Sequence, residues 1–298
     1  MPPRSHEGRN EGGRRRAFCG AVALIAGLVA SAAAPPPVPA SWTAPVKPFR
    51  IVGDIYYVGT EGLGAYLIGK NHDVVLIDGT LAANAPMIER NIRSLGFQLS
   101  DVKLLLENHA HYDHVGALAQ IQRDTYAPLY ASAGDRWALE HGRPRGDTNY
   151  GVLEFPPVDV AGIVIDGETV GPVTALLTPG HTPGCTSFAT TVVDGGRPLR
   201  VLFLCSITVA GNVLVGNREY PQIAADFTHT FARLATLKAD VVLTGHPEVA
   251  DVLGREARAA AGEKDAFVDP ALLGRIVRQA QEDFEAVYAK ERQAKSDK

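Results

Sequence analysis

Hydrophobic and polar positions follow two different periods along the chain, which predicts strands and helices in mixed order. The first half predicts strands at 50–58, 65–68 and 74–77, a helix at 83–95, and a buried strand at 103–107. The residues Gly69 to Asp73 predict a hairpin turn between the second and third strands, and Gly96 closes the helix. Another helix is predicted to begin near His114.

The second half continues the alternation and ends in a helix. It predicts strands at 173–178, 187–193, 200–207 and 241–244, and an amphipathic helix at 222–238. The last helix is predicted to start with Asp269 as N-cap and Pro270 at its first position. Hairpins followed by alternating helices and strands predict an α/β protein with two mixed β-sheets packed together and helices outside. No linker interrupts 45–296, so we expect a single domain over 41–298.

The N-terminal 40 residues have the composition of an export signal. Residues 1–16 are polar and end in three arginines, and 17–34 are small, apolar and uncharged. This order predicts a signal peptide and leader over 1–40, and hence a periplasmic or secreted protein. Arg15-Arg16 also resembles a twin-arginine signal. A membrane anchor is the alternative, but so many Ala and Gly residues make the segment weakly hydrophobic for a membrane span.

Composition and charge exclude several classes of protein. The chain has 298 residues, of which 46% are hydrophobic and 21% charged, which is typical of a globular protein. The net charge is −4, and removal of residues 1–40 takes away five Arg and two Glu and leaves −7. An acidic chain without a basic stripe is not expected to bind nucleic acid, nor a membrane after signal cleavage. A monomer is slightly favoured.

A cluster of histidines follows the predicted strand 103–107. His109, His111, Asp113 and His114 form an H-x-H-x-D-H pattern. Imidazole nitrogen and carboxylate oxygen together suit Zn²⁺. The carboxylate argues against copper, and the lack of an all-oxygen set argues against Mg²⁺ and Ca²⁺. The alternative is a chance group of surface histidines.

Two further histidines occur in similar positions. His181 follows the predicted strand 173–178 and His246 follows the strand 241–244, each directly after a glycine. Ligands in open α/β sheets gather at strand ends, so both side chains are expected to join the cluster. Six ligands are enough for two metal ions with open positions for water.

These motifs resemble those of the metallo-β-lactamase superfamily, and more closely class B β-lactamases of subclass 3. The resemblance extends over most of the chain, through the segments 47–68, 74–79, 108–118, 178–188, 214–227 and 245–270. It implies a four-layer αβ/βα sandwich and two zinc ions per chain. The first zinc would be bound by His109, His111 and His181, and the second by Asp113, His114 and His246.

The resemblance also implies roles around the metals. Asp113 would orient the nucleophile, and Asp78 would orient a metal ligand. Ser206 and Thr208 would hold the substrate carboxylate. For Asp78 the alternative is a turn residue, and for the two hydroxyls it is local hydrogen bonding at a strand end.

The implied activity is hydrolysis of the β-lactam amide by a metal-bound hydroxide, with a small-molecule β-lactam as substrate. Two alternatives remain. Another metallo-hydrolase (lactonase, esterase or thioesterase) is one, but such relatives place a bridging Asp near Leu204-Cys205-Ser206, where this chain has none. A non-catalytic periplasmic zinc-binding protein is the other.

Two of the three cysteines lie outside the predicted signal peptide, and whether they form a disulfide is left open. Cys185 and Cys205 are able to pair in an oxidising compartment, but two cysteines do not establish a bridge. Strand alternation predicts that Cys205 faces away from Ser206 into the core. The alternative is a bulge that turns its sulfur inward to the metals. Glu107-Asn108 departs from the small hydroxyl residue that is commoner in the family at this place.

Overall fold

The computed structural model describes residues 37–297. The predicted signal peptide and leader therefore lies outside the described residues, apart from 37–40. Within the described part, no helix combines the length and apolar character that crossing a membrane requires.

Residues 37–297 form two β-sheets. The first sheet has seven strands in sequential order, β1 (Phe49–Arg50), β2 (Ile55–Tyr57), β3 (Tyr66–Lys70), β4 (Asp73–Ile77), β5 (Val102–Leu106), β6 (Leu129–Ser132) and β7 (Val160–Val164). Its first four strands pair antiparallel, and β4 to β7 pair parallel. The sheet is therefore mixed.

The second sheet has five strands in the order β12-β11-β10-β9-β8. They are β8 (Thr169–Val170), β9 (Val173–Leu177), β10 (Thr186–Asp194), β11 (Arg197–Leu204) and β12 (Val241–Thr244). Only the β11–β12 pair within this described sheet is parallel. This sheet is also mixed.

Helices cover the outer faces of both sheets. They are α1 (Ala85–Ser94), α2 (Tyr112–Val115), α3 (Leu118–Thr125), α4 (Ala133–His141), α5 (Ile223–Leu234), α6 (Val252–Ala260) and α7 (Leu272–Ser296). Successive side chains along a strand point to opposite faces of the sheet, and the first sheet therefore contributes to two separate hydrophobic cores. Leu105 of β5 packs with α1, α3 and α4, whereas Leu106 faces the second sheet and lies in one cluster with Phe203 of β11 and Phe227 of α5. The predicted two mixed sheets with helices outside are confirmed.

Several predicted boundaries were wrong. Helix α7 begins at Leu272, because the Asp269 carboxylate accepts a hydrogen bond from the Ala271 amide and forms a turn before the helix. Strand β11 ends at Leu204 instead of Ile207, since its parallel partner β12 ends opposite it at Thr244. The sequence patterns also missed β6, β7 and α6.

An ion pair joins the beginnings of β11 and β12, the two strands that lead to Ser206 and His246. Asp240 accepts hydrogen bonds from Arg200 Nη2 at 2.8 Å and Nε at 2.9 Å. Hydrogen bonding from the Arg200 side chain is the main cause that lowers the pKa of Asp240 to about 2. The pair therefore stabilises the fold above the unfolded-state pKa of about 3.9, and this contribution is lost as the pH falls towards 2.

Asp240→Asn should lower the thermal unfolding midpoint at pH 7 by about 2 °C, a small effect because Arg200 is exposed to solvent. The difference from the unmodified chain should shrink as the pH falls below about 4. Calorimetry at pH 7, 5 and 3.5 measures it. An unchanged difference at pH 3.5 would show that the carboxylate charge is not its cause.

Candidate metal centre

The metal centre begins where β5 ends. After Leu106 the chain forms an irregular segment that bends at Asn108, and the short helix α2 then carries Asp113 and His114. The amides of His114 and Val115 both donate to the His111 carbonyl, at 2.9 and 3.0 Å. This turn brings Asp113 and His114 beside His109 and His111, and all four side chains of the motif are buried.

His181 completes a first triad with His109 and His111. One ligand atom from each of the three lies within 4.8 Å of the others, and the ring centroids are 4.5 to 4.9 Å apart. His181 Nδ1 lies 2.7 Å from the carbonyl of Thr208 and must donate to it, which leaves Nε2 as the free ligand atom. The loop that contains Thr208 thereby sets the tautomer of His181, a candidate metal ligand.

Burial is the main cause that keeps the imidazoles of the first triad uncharged. It lowers the pKa of His111 to about 4 and holds the pKa of His109 and His181 well below the ordinary value of 6.5. Neutral imidazole is the form that binds a metal ion. The triad is therefore in its metal-binding state near neutral pH.

A second triad consists of Asp113, His114 and His246. Asp113 Oδ2 lies 3.7 Å from His114 Nε2 and 3.3 Å from His246 Nε2. Burial opposes ionisation of Asp113, but the neighbouring His114 and His246 outweigh it and lower the pKa of the carboxyl. His246 reaches this position because Gly245 has no side chain, since a Cβ there would collide with the ring of His114.

Asp78 orients His114 of the second triad through a hydrogen bond. Its side chain is fully buried after β4, and Oδ2 accepts a hydrogen bond from His114 Nδ1 at 3.1 Å. Oδ1 accepts from the Asn108 amide at 2.7 Å, so the same carboxylate also holds the chain just before the first histidine. These contacts leave His114 Nε2 pointing towards Asp113.

The donor set fits a pair of metal ions. His109 and His114 have their ring centroids 4.0 Å apart, so the two triads lie side by side. The Nε2 atoms of both rings are buried and have no hydrogen-bond partner. A buried polar atom without a partner is costly, and coordination of a metal ion would satisfy both.

Ser206 and Thr208 lie at the edge of the centre. Their hydroxyl oxygens are 3.0 Å apart, and both residues line the two cavities that open from the metal centre. The structure thus brings together all nine residues that the sequence nominated.

The two cysteines form a disulfide between the loop after β9 and the end of β11. Cys205 is fully buried, as predicted, but it lies one residue after the end of β11, so strand alternation does not set the direction of its side chain. Its sulfur is 3.7 Å from His109 Nδ1. The disulfide therefore links the loop after β9 to the end of β11 next to His109 of the first triad.

Asp135 of α4 is a site residue that the sequence patterns missed. Its buried carboxylate accepts hydrogen bonds from the Ala110 amide at 2.9 Å, the Thr182 hydroxyl at 2.7 Å and the Gly184 amide at 2.9 Å. It thereby joins the loop of His109 and His111 to the loop of His181. The spacing Ser132-x-x-Asp135 indicates a helix cap, which the structure contains, but no sequence signal indicates the contacts to the two loops.

Aromatic side chains also border the centre without having been predicted. Trp42 lies against His246 and Tyr112, with ring centroids 5.5 and 6.0 Å apart. Trp42 and Tyr112 line the smaller cavity together with Tyr150, which belongs to the loop between α4 and β7. Residues near the start of the described chain therefore form part of the site wall.

Comparison with known proteins gives the class of this fold and site. A family model described as the Metallo-beta-lactamase superfamily matches residues 59–246. The chain belongs to this superfamily, which supports a metal-dependent hydrolase.

Solved structures narrow the resemblance to subclass B3. BJP-1, a subclass B3 metallo-beta-lactamase of Bradyrhizobium japonicum, is 41% identical, with a TM-score of 0.81 over 86% of this chain and 98% of that one. MEM-A1, a subclass B3 metallo-beta-lactamase from a soil metagenome library, is 32% identical, with a TM-score of 0.78 over 85% and 99%. The predicted resemblance to subclass 3 is confirmed.

Curated relatives match shorter segments. The uncharacterized protein YobT of Bacillus subtilis is 31% identical over 136 residues, which are 43% of this chain and 57% of YobT. The N-acyl homoserine lactonase AttM of Agrobacterium fabrum is 34% identical over 105 residues, 33% of this chain and 39% of AttM. The chain thus matches about half of the length of these two relatives.

Proposed function

We propose that this chain is a zinc-dependent β-lactamase that hydrolyses the ring amide of β-lactam antibiotics with two zinc ions. The observation that carries the proposal is the pair of adjacent triads, with two buried imidazole nitrogens that lack partners. The similarity over nearly the full length of subclass B3 structures supports the choice of substrate.

Each triad would hold one zinc ion. The first ion would be bound by His109, His111 and His181, and the second by Asp113, His114 and His246. Bound zinc supplies a Lewis acid for the amide carbonyl and lowers the pKa of a coordinated water to about 7. No serine or cysteine nucleophile is required.

The chain's own residues orient the reactants. The Asp113 carboxylate lines the smaller cavity and would hold the attacking water towards the carbonyl carbon. Asp78 fixes His114 with Nε2 free, and the Thr208 carbonyl does the same for His181. The hydroxyls of Ser206 and Thr208 would donate hydrogen bonds to the substrate carboxylate.

A lactonase, esterase or thioesterase acting at the same metals is the second candidate. The similarity to the lactonase AttM favours it, although the match covers only 39% of that protein. The absence of an acidic residue from Leu204-Cys205-Ser206 counts against it. A non-catalytic zinc-binding protein would hold the same metals without turnover, so activity measurements separate it from both.

We also propose that residues 1–40 are a signal peptide and leader, so that the domain 41–298 acts in the periplasm or outside the cell. N-terminal sequencing of the protein from a fractionated host should find the chain cut near Ala34 or Ala40. A chain that keeps Met1 would contradict export by cleavage.

Metal removal tests the proposed function directly. The purified mature protein should contain two zinc ions per chain and hydrolyse nitrocefin and imipenem. Excess chelator should abolish both reactions, and added zinc should restore them. Undiminished hydrolysis in chelator would contradict the zinc mechanism. Two bound zinc ions without β-lactam hydrolysis would favour the second candidate or a binding protein.

A further inference from the structure

A further group of metal-ligating atoms lies beside the His109 ring, outside the two triads. It consists of the sulfurs of Cys185 and Cys205 and a nitrogen of His109, and one ligand atom from each residue lies within 4.8 Å of the others. The ring contacts the sulfurs through Nδ1, which is 3.7 Å from Cys205 Sγ. The other ring nitrogen, Nε2, is buried without a hydrogen-bond partner among the described residues and is left for the first triad.

The disulfide hides this donor set in the folded chain. A disulfide sulfur is not a thiolate, and the thiolate is the form of cysteine that binds metal ions. Backbone hydrogen bonds hold both cysteines independently of the bridge. The Cys205 amide donates to Ser187 Oγ at 3.0 Å. The Cys185 carbonyl accepts from the Thr178 amide at 2.8 Å. We therefore expect reduction of the bridge to leave the two sulfurs close to His109.

The surroundings of the two sulfurs suit a reduced state as well. Cys205 Sγ lies 3.1 Å from the Asn108 carbonyl oxygen. Cys185 Sγ lies 3.2 Å from the Ser206 carbonyl oxygen. Each thiol would find an acceptor there, so neither would become a buried donor without a partner. The larger of the two cavities at the metal centre, about 710 Å³, is lined by both His109 and Cys205 and gives a small reductant or a metal ion a route to the group.

The chemistry of the donors selects the kind of ion. Two thiolates and one imidazole nitrogen suit Zn²⁺ and softer ions such as Cd²⁺. The group includes no carboxylate, so Mg²⁺ and Ca²⁺ are not expected there. A neutral imidazole has one nitrogen with a free lone pair and one nitrogen that carries the proton. His109 is therefore able to serve the first triad through Nε2 or the two cysteines through Nδ1, but not both at once.

We propose that the reduced chain contains a third metal site, formed by Cys185, Cys205 and Nδ1 of His109, which competes with the first triad for His109. Oxidation of the two cysteines to the disulfide removes this site and reserves His109 for the first triad. The competition rests on the proposed metal binding by that triad. In a chain exported as proposed, the cysteines are thiols in the reducing cytosol and pair only afterwards. The third site then belongs to the precursor and disappears on export.

The change between the two forms is a two-electron step. A water-soluble phosphine breaks the S–S bond, gives two electrons to the sulfurs and becomes a phosphine oxide with the oxygen of one water molecule. The two hydrogens of that water complete the two thiols. Binding of Cd²⁺ then releases both thiol protons and forms two Cd–S bonds, without any transfer of electrons in this second step.

Cadmium titration of the reduced protein tests the third site. The mature protein is loaded with two zinc ions, reduced with the phosphine in the absence of air, and titrated with Cd²⁺. The ultraviolet absorption of Cd–S bonds should rise until one cadmium is bound to the cysteine pair of each chain, and elemental analysis after gel filtration should show the loss of one zinc ion. Residues 41–298 contain no other cysteine, so the absorption reports on this pair alone. The oxidised protein should show neither change at the same concentration of cadmium.

Cys185→Ala/Cys205→Ala is the matched control, because it lacks the bridge and both thiols. It should show no Cd–S absorption and should keep both zinc ions at the cadmium concentration that saturates the reduced protein. Any zinc that it does lose measures direct exchange of metal in the triads. Circular dichroism of the reduced protein and of the double variant shows whether each is folded.

Three results would overturn the inference and leave β-lactam hydrolysis by the oxidised protein intact. They are a folded reduced protein without Cd–S absorption, the same absorption in the double variant, and Cd–S absorption with both zinc ions retained. An unfolded reduced protein would also overturn it, since the site requires both cysteine segments in place. An oxidised protein that holds no zinc would overturn the competition together with the proposed function.

Discussion

His181→Ala should lower kcat/KM for imipenem by about a thousandfold or more, because loss of a Lewis-acid metal removes several kcal/mol of transition-state stabilisation. The zinc content should fall from two ions per chain to one. His181 is the only member of the first triad that does not come from the 109–114 segment, and its ring lies within 4.7 Å of both His109 and His111. Its removal leaves two imidazoles, which is too few for a stable zinc site.

The control is His229→Ala, which removes a solvent-exposed histidine of α5 that belongs to neither triad. It should retain both zinc ions and full activity. A His181 variant that loses one zinc ion but keeps its hydrolytic rate would contradict the catalytic role of the first triad. If the unmodified chain hydrolyses no β-lactam and the His181 variant only loses zinc, the result would support a zinc-binding protein instead.

Asp135→Asn should weaken zinc binding at the first triad by roughly 10- to 100-fold, the usual cost of losing a group that orients metal ligands. The Asp135 carboxylate is 1% exposed and accepts three hydrogen bonds. An amide in its place turns one acceptor into a donor that faces an N–H or O–H group. The unfolding free energy should fall by about 3 kcal/mol, because buried donors lose their acceptor.

Competition with a chelator measures the zinc affinity of this variant, and urea denaturation measures its stability. Thr182→Val removes one of the three hydrogen bonds and should show an intermediate loss of affinity. Glu140→Gln, on the same helix, removes an ion pair with Arg136, so it should leave the zinc affinity unchanged and lower the unfolding free energy by less than about 0.5 kcal/mol. An Asp135 variant that is destabilised yet binds both zinc ions with unchanged affinity would show that the residue supports the fold alone.

The sequence was sufficient to nominate the candidate metal ligands that the structure brings together, because their pattern is local. His109, His111, Asp113 and His114 lie within six positions, and the two remaining histidines each follow a strand and a glycine. They follow β9 and β12 of the second sheet, whereas the 109–114 segment follows β5 of the first, and the ends of these three strands meet at the candidate metal centre. Hydrophobic periodicity was likewise sufficient to predict the two mixed sheets.

The features that were missed depend on contacts between distant segments. Asp135 joins loops at 110 and 182–184, and nothing in the residues near it specifies either partner. The side of the sheet to which Cys205 points depends on where β11 ends, and the pairing with β12 determines that end. Trp42 borders the centre through a contact with His246, which lies about 200 residues further along the chain.

Diffraction from crystals of the purified protein at the zinc absorption edge tests the central claim most directly. The account predicts two anomalous peaks, one enclosed by His109, His111 and His181 and the other by Asp113, His114 and His246. A single peak, or imidazoles of His181 and His246 directed away from the 109–114 segment, would contradict a two-metal centre and the hydrolysis proposed for it.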